Sequence, residues 1–147
     1  MEVFYLELVL DFSNLKNADL AYVNISYSSF KQAILDGICI VKADADHACF
    51  EKASFKNVKA VRTSFIKAVF KNANLTGTDF RRCLLKEVDF TGAIINKCNF
   101  SEALLAGAKG IETAKFEWIH IGYWDHPEKL YGKEAMDWLL SKATEPI

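Results

Sequence analysis

Every fifth residue from Leu10 to Leu105 is apolar, and eighteen of these twenty are Leu, Ile or Phe. A second row sits two residues earlier, from Leu8 to Ala103, and eighteen of its twenty members are Ala, Ser, Thr, Cys or Val. The unit is therefore small–x–large–x–x. Neither the 3.6-residue helix period nor the 2-residue strand period can hold such a pattern on one face for a hundred residues. A coil that turns a corner every five residues can, with the large residue and its small partner pointing inward.

The corners have their own composition. Asn17, Gly37, Asn57, Asn72, Gly77, Gly92 and Gly107 stand two residues after a large residue, and both types tolerate positive φ. Four of them, Asn17, Gly37, Asn57 and Gly77, are spaced by twenty residues, which predicts four units per coil and a square cross-section. No proline occurs before Pro127, as expected where backbone N–H groups pair between stacked coils. Phe30, Phe50, Phe70 and Phe90 would then stack as a ladder through one side.

Units such as Ala-Asp-Leu-Ala-Tyr (18–22), Ala-Asn-Leu-Thr-Gly (73–77) and Val-Asp-Phe-Thr-Gly (88–92) resemble the repeats of pentapeptide-repeat proteins. The resemblance covers roughly residues 5–121. It implies an all-β solenoid, a right-handed quadrilateral β-helix of about six coils, from about twenty-four units at four to a coil. The domain reading is a β-helix over 1–121 and a C-terminal loop and helix over 122–147 that caps the last coil. After Leu105 the register slips once, and the next inward residues are Ile111, Ala114/Phe116 and Ile119/Ile121. Asp125-His126-Pro127-Glu128 reads as the cap of a helical turn. A helix from about Gly132 to Ala143 carries Ala135, Met136, Leu139, Leu140 and Ala143 as its apolar stripe.

Chemistry-bearing constellations are scarce. Cys39, Cys49, Cys83 and Cys98 do not stack on one another at twenty-residue spacing, so the coil offers no disulfide geometry. Cys83 and Cys98 occupy the small inward row as core thiols. His120, Asp125 and His126 lack metal-ligand spacing and read as solvated loop residues. No phosphate loop, nucleophile elbow or Cys–His arrangement is present. The expectation is a non-enzymatic protein with no cofactor and no metal. Without a leader-like or membrane-spanning segment, the chain reads as cytoplasmic.

Charge is unevenly distributed. Residues 1–50 carry 3 basic and 7 acidic side chains, residues 51–100 carry 10 and 4, and residues 101–147 carry 5 and 8. Lys42, Arg62 and Arg82 share one outward column, with Arg81 beside it, Val41 and Val61 in the adjacent column, and Tyr22 at its acidic end. This column reads as a docking face for an acidic protein partner of unknown identity, with Arg62 and Arg82 as bidentate anchors. The aromatic residues Phe4, Phe12, Tyr22 and Tyr27 of the first coil, and Trp124 and Trp138 near the other end, are candidates for self-association as a homodimer through a coil end. The family resemblance also implies an alternative, a DNA mimic that binds DNA gyrase and protects it. That role needs a long acidic rod, and this chain has a net charge of −1 and a basic middle. Direct nucleic-acid binding is disfavoured by the acidic flanks and the absence of interleaved aromatics.

Overall fold

A computed structural model describes residues 7–123 and 125–147; Phe4 and Trp124 lie outside the described residues. From Val9 onward the chain winds into stacked coils joined by parallel bridges twenty residues apart: Val9 to Ser29, Asn14 to Ile34, Asp19 to Cys39, and so on to Asp89 with Lys109. Twenty residues therefore close one coil of four sides. From Ile25 to Leu105 every member of the large row is between 0% and 2% exposed. Phe30, Phe50, Phe70 and Phe90 stack face to face at 5.3, 4.9 and 6.0 Å, within 10° of parallel. Phe80 and Phe100 repeat this at 5.6 Å on another side.

Hydrogen bonding explains the five-residue unit better than burial alone does. Three N–H groups of each unit join neighbouring coils. Leu10 donates to the Ser29 carbonyl (2.7 Å), Phe12 to Lys31 (2.9 Å), and Ser29 back to Leu8 (2.8 Å). The small residue closes the turn, as when Ser13 donates to Leu10. The residue directly after the large one keeps an N–H that the stack leaves unused. A buried or half-buried donor of this kind needs an acceptor. The Asp or Asn two positions earlier supplies it: Asn14 for Lys16, Asp44 for Asp46, Asn74 for Thr76, Asp89 for Thr91, at 2.9–3.1 Å. A second solution uses an Asp one coil below. Asp36 accepts from the Ser54 hydroxyl (2.6 Å) and the Lys56 N–H (3.0 Å), and Asp11 and Asp46 do the same for Ser29 with Lys31 and Ser64 with Ile66.

All twenty corner residues from Phe12 to Gly107 have φ between 54° and 75°. Only four are glycine; Lys42, Arg62, Glu87 and Tyr22 adopt the same left-handed conformation. For an L-residue this conformation costs about 1–2 kcal/mol, and the ladder above and below each corner holds it there. Glycine has a further reason at some corners. A Cβ on Gly77 would lie 2.2 Å from the Asn57 Oδ1, and on Gly37 2.3 Å from the Asn17 Oδ1. The Asn of one coil folds over the Gly of the next, so the alternation 17, 37, 57, 77 is a paired device.

Small polar residues enter the core by donating to carbonyls of the coil below. Thr78 Oγ1 reaches the Phe55 carbonyl (2.6 Å), Cys83 Sγ the Ala60 carbonyl (2.8 Å) and Cys98 Sγ the Leu75 carbonyl (3.0 Å).

At the C-terminal end the bridges become 21 residues apart, Ile94 with Lys115 and Asn99 with His120. The extra residue is absorbed by Gly110 (φ 71°) and a 3-10 turn over Ile111–Thr113. Ile111, Ile119 and Ile121 are buried, and Ala114 and Phe116 half-buried. Strand β1 (Trp118–Tyr123) stays in the last coil but also pairs antiparallel with β2 (His126–Tyr131). Where a loop with a helical turn capped at Asp125–Glu128 was expected, residues 122–123 end β1 and residues 126–131 form β2. The physical reason is that β1 would otherwise present an unpaired edge. Pro127 fits this outer exposed strand, where a missing N–H is tolerated.

Helix α1 (Gly132–Ala143) follows and seats Ala135 and Leu139, 0% and 1% exposed, on the last coil. Its stripe differs from expectation. Leu140 is 37% exposed, while Trp138 packs half-buried against the core. The Ala143 carbonyl accepts from the Gly107 N–H (2.8 Å), a donor that a further coil would have used.

Two outcomes are expected. Gly77→Ala destabilises by about 1–3 kcal/mol in urea unfolding, and adding Asn57→Ala restores about 1 kcal/mol or more of it; a purely additive pair would show that φ alone sets the cost. The second concerns acid. Although burial opposes ionisation of Asp36, the Ser54 and Lys56 hydrogen bonds and the Lys56 charge outweigh it and hold the carboxyl below its ordinary range. Stability from such a depressed group is present above the unfolded pKa and lost as pH falls through the folded one. Asp36→Asn keeps the acceptor and removes the charge, so the decline in urea midpoint below about pH 4 should be shallower in the variant than in the wild type.

Candidate interaction surface

The corner column that holds Lys42, Arg62 and Arg82 runs from Tyr22 to Glu102, because each step of twenty residues stacks one coil on the next. Its two ends are internally satisfied. Lys42 Nζ lies over the Tyr22 ring, 5.7 Å from its centroid. Arg82 makes a bidentate pair with Glu102, Nε to Oε2 at 2.8 Å and an amino nitrogen to Oε1 at 3.3 Å. Arg81 does the same with Asp79, at 2.6–3.0 Å, and that hydrogen bonding raises its pKa further. Such surface pairs add ~0–1 kcal/mol to stability, but they occupy the guanidinium forks.

In this structure the forks of both Arg82 and Arg81, expected as part of the docking face, are engaged within the chain. Arg62 is different. Among the described residues its exposed guanidinium has no ion pair, side-chain hydrogen bond or ring contact. Val41 and Val61 are half-exposed on the adjacent face, and Val61, Arg81, Arg82 and Glu102 line a shallow depression of about 330 Å³. Lys59, exposed on this face between Cys39 and Asp79, escaped the sequence reading. The signal was available: Lys59 interrupts the series Asp19, Asp79, Asn99. Glu102 was missed although the same twenty-residue step leads from Arg82 to it.

The self-association residues do not form one surface. Phe12, Tyr22 and Tyr27 occupy three different corners of the first coil, and Phe12 and Tyr22 are each 72% exposed. Tyr27 stacks on His47 at 4.5 Å. Trp138 lies near the other end, with Lys142 Nζ 6.0 Å from its ring. Leu10, Leu15 and Leu20 of the first coil are half-buried, in contrast to the coils that follow.

His120 and His126 are three rows apart on the hairpin ladder, opposite Lys129 and Tyr123 respectively. His120 meets the Trp118 ring edge-on, and burial together with the Lys129 charge lowers its pKa. His126 Nδ1 is 3.2 Å from Asp125 Oδ2. Among the described residues no group of three or more His, Cys, Asp and Glu could hold a metal ion, and no helix is long and apolar enough to cross a membrane.

A four-sided parallel β-solenoid with an engaged corner column and a C-terminal cap defines the class of protein. Residues 9–37, 48–86 and 83–109 match the family model for pentapeptide repeats, in eight copies. The match spans more than half of the sequence, and the chain belongs to the pentapeptide-repeat family, whose fold is a right-handed β-helix. Among solved structures it is similar to a trypsin-treated form of QnrB1, a plasmid-mediated fluoroquinolone resistance protein, at 16% identity and a TM-score of 0.50, covering 74% of this chain and 70% of that one. It is also similar to Rfr23, a pentapeptide-repeat protein from the cyanobacterium Cyanothece 51142 (17% identity, 74% and 90% covered, TM-score 0.40). A third is a pentapeptide-repeat protein of the Arabidopsis thaliana thylakoid lumen (27% identity, 66% and 60% covered, TM-score 0.35). Comparison with curated proteins gives no match.

The thiols divide by position. Cys39 and Cys49 are partly exposed on outward faces, whereas burial pushes the Cys83 thiol up to about 12 and raises Cys98 as well. Since only the thiolate reacts quickly, an aromatic disulfide reagent near pH 8 should titrate two of the four cysteines in the native protein and all four after denaturation. Rapid reaction of a third would contradict the burial of the small row.

Proposed function

We propose that this protein is a non-enzymatic interaction module, a rigid rod of about six coils at twenty residues to the coil. It docks an acidic segment of a protein partner on the face that carries Val41, Lys42, Lys59, Val61 and Arg62. The observation that supports this reading best is the isolation of Arg62. Neighbouring guanidinium groups are paired within the chain, while the Arg62 side chain stands between like charges with no partner among the described residues. A carboxylate from outside would relieve that repulsion and use a fork suited to it. The half-exposed valines offer apolar contact beside the charge, the mixture found at protein interfaces. The module would act in the cytoplasm, where free cysteines stay reduced.

The DNA-mimic role suggested by family resemblance calls for an acidic rod. This face presents cations, so protection of gyrase is not the reading adopted. A homodimer through the aromatic first coil remains compatible with the docking face, which lies along the side of the rod.

Arg62→Glu tests the proposal. Co-precipitated proteins identified by mass spectrometry should include at least one whose recovery falls about tenfold with Arg62→Glu and is unchanged with Lys52→Glu, a reversal at an exposed corner on a different side. Melting temperature should not fall, because Arg62 has no side-chain partner among the described residues to lose and the new carboxylate stands between Lys42 and Arg82, a surface change of ~0–1 kcal/mol. Equal recovery in both variants would overturn the docking face. The wild-type protein is expected to give no protection of gyrase in a supercoiling assay with a quinolone; protection would favour the mimic.

A further inference from the structure

The residues directly after the large row on this face form the column Ala21, Val41, Val61, Arg81, Ser101. Each has the N–H that coil stacking leaves unused. In three of them a side-chain oxygen two positions earlier accepts it: Asp19 for Ala21 (3.0 Å), Asp79 for Arg81 (3.1 Å) and Asn99 for Ser101 (3.0 Å). At Val41 and Val61 the capping positions are Cys39 and Lys59, and neither N–H has an acceptor among the described residues. Two adjacent coils have thus lost their cap, and one cap has become a cation.

Uncapped N–H groups also occur elsewhere, for example at Glu51 and Lys71, where Cys49 and Val69 stand in the capping position, and at Lys86 and Ala106, behind Leu84 and Leu104. Those pairs lie beside acidic side chains, Glu51 and Glu87. Among the described residues, the two successive open donors at Val41 and Val61 are the ones set among Lys42, Lys59 and Arg62, with the nearby acids Asp79 and Glu102 already bound to arginines. The chain itself shows what fits such a donor: a carboxylate oxygen at about 3 Å, as Asp19 and Asp79 demonstrate one coil to either side.

We propose that the Val41 and Val61 N–H groups, with Lys59 and Arg62 beside them, are a two-position receptor for side-chain carboxylates of an acidic, extended peptide segment. This deepens the docking function above and rests on it. The partner's carboxylates replace the missing Asp caps. Rows are ~4.8 Å apart, and same-side residues of an extended strand are ~6.6–6.8 Å apart, a difference that flexible glutamate side chains absorb.

The test restores the cap. Cys39→Asn with Lys59→Asn supplies an acceptor to both N–H groups; Cys39→Ala with Lys59→Ala removes the same thiol and charge but leaves them open. Asn is native at equivalent positions 14, 24, 74 and 99, so the capped variant keeps the fold. The probe is a short synthetic peptide of alternating Glu and Val, followed by amide NMR titration. In the wild type and the Ala pair, the Val41 and Val61 amides should shift more than those of Ala21 and Arg81. In the Asn pair, affinity should fall about tenfold relative to the Ala pair. Equal affinity of the two pairs overturns the receptor. If Arg62→Gln then abolishes peptide binding while the Asn pair does not, the docking face stands and the backbone receptor falls. If the peptide shifts no amide of this face in the wild type, both fall.

Discussion

The structure depends on one backbone constraint. A coil that turns every five residues must find acceptors for five N–H groups per side. Stacking provides for three, the turn closes a fourth, and the fifth is left to a side chain. That requirement accounts for the Asp and Asn residues that precede so many large residues, and for the alternative in which Ser29, Ser54 and Ser64 pair with an Asp one coil below. It also explains how Lys42, Glu87 and Tyr22 can be held at positive φ. The ladder on either side determines the corner, and the corner residue conforms.

Much of this was legible in the sequence, and the parts that were not share a cause. Periodicity identifies inward positions, so the Phe30–Phe90 ladder, the buried Cys83 and Cys98 and the register slip before Ile111 could be read from spacing. Conformation at the corners was only partly visible. Asn17 and Gly77 signalled positive φ, but Arg62 and Lys67, which adopt it too, gave no such sign. Outside the repeat, local pattern misled. Asp125 and Glu128 have helix-cap spacing, yet the edge of β1 needed a partner strand, and that tertiary demand prevailed. Leu140 and Trp138 exchange their expected exposures because helix α1 is rotated to fit the last coil rather than its own most apolar arc.

Side-chain pairing across coils was the least legible part of the candidate surface. The column Lys42, Arg62, Arg82 was found by a step of twenty, and the same step reaches Glu102 and Tyr22. Whether those neighbours engage depends on rotamers, which spacing does not specify. The pairing leaves Arg62, among the described residues of that column, as the guanidinium without a side-chain partner, and the proposed surface is centred on it. There the missing caps at Val41 and Val61 coincide with it.

The uniform corner geometry has a consequence for change over generations. Because backbone shape at each corner is imposed by stacking, the outward residues form a lattice whose rows and columns are fixed, and their chemistry can vary wherever no cap or Asn–Gly pair is required. Away from those pairs and caps, a single substitution alters one address without moving its neighbours. Surface and fold are thereby decoupled: the rod can be rewritten site by site, like type set in a rigid frame, while the core that carries it stays the same.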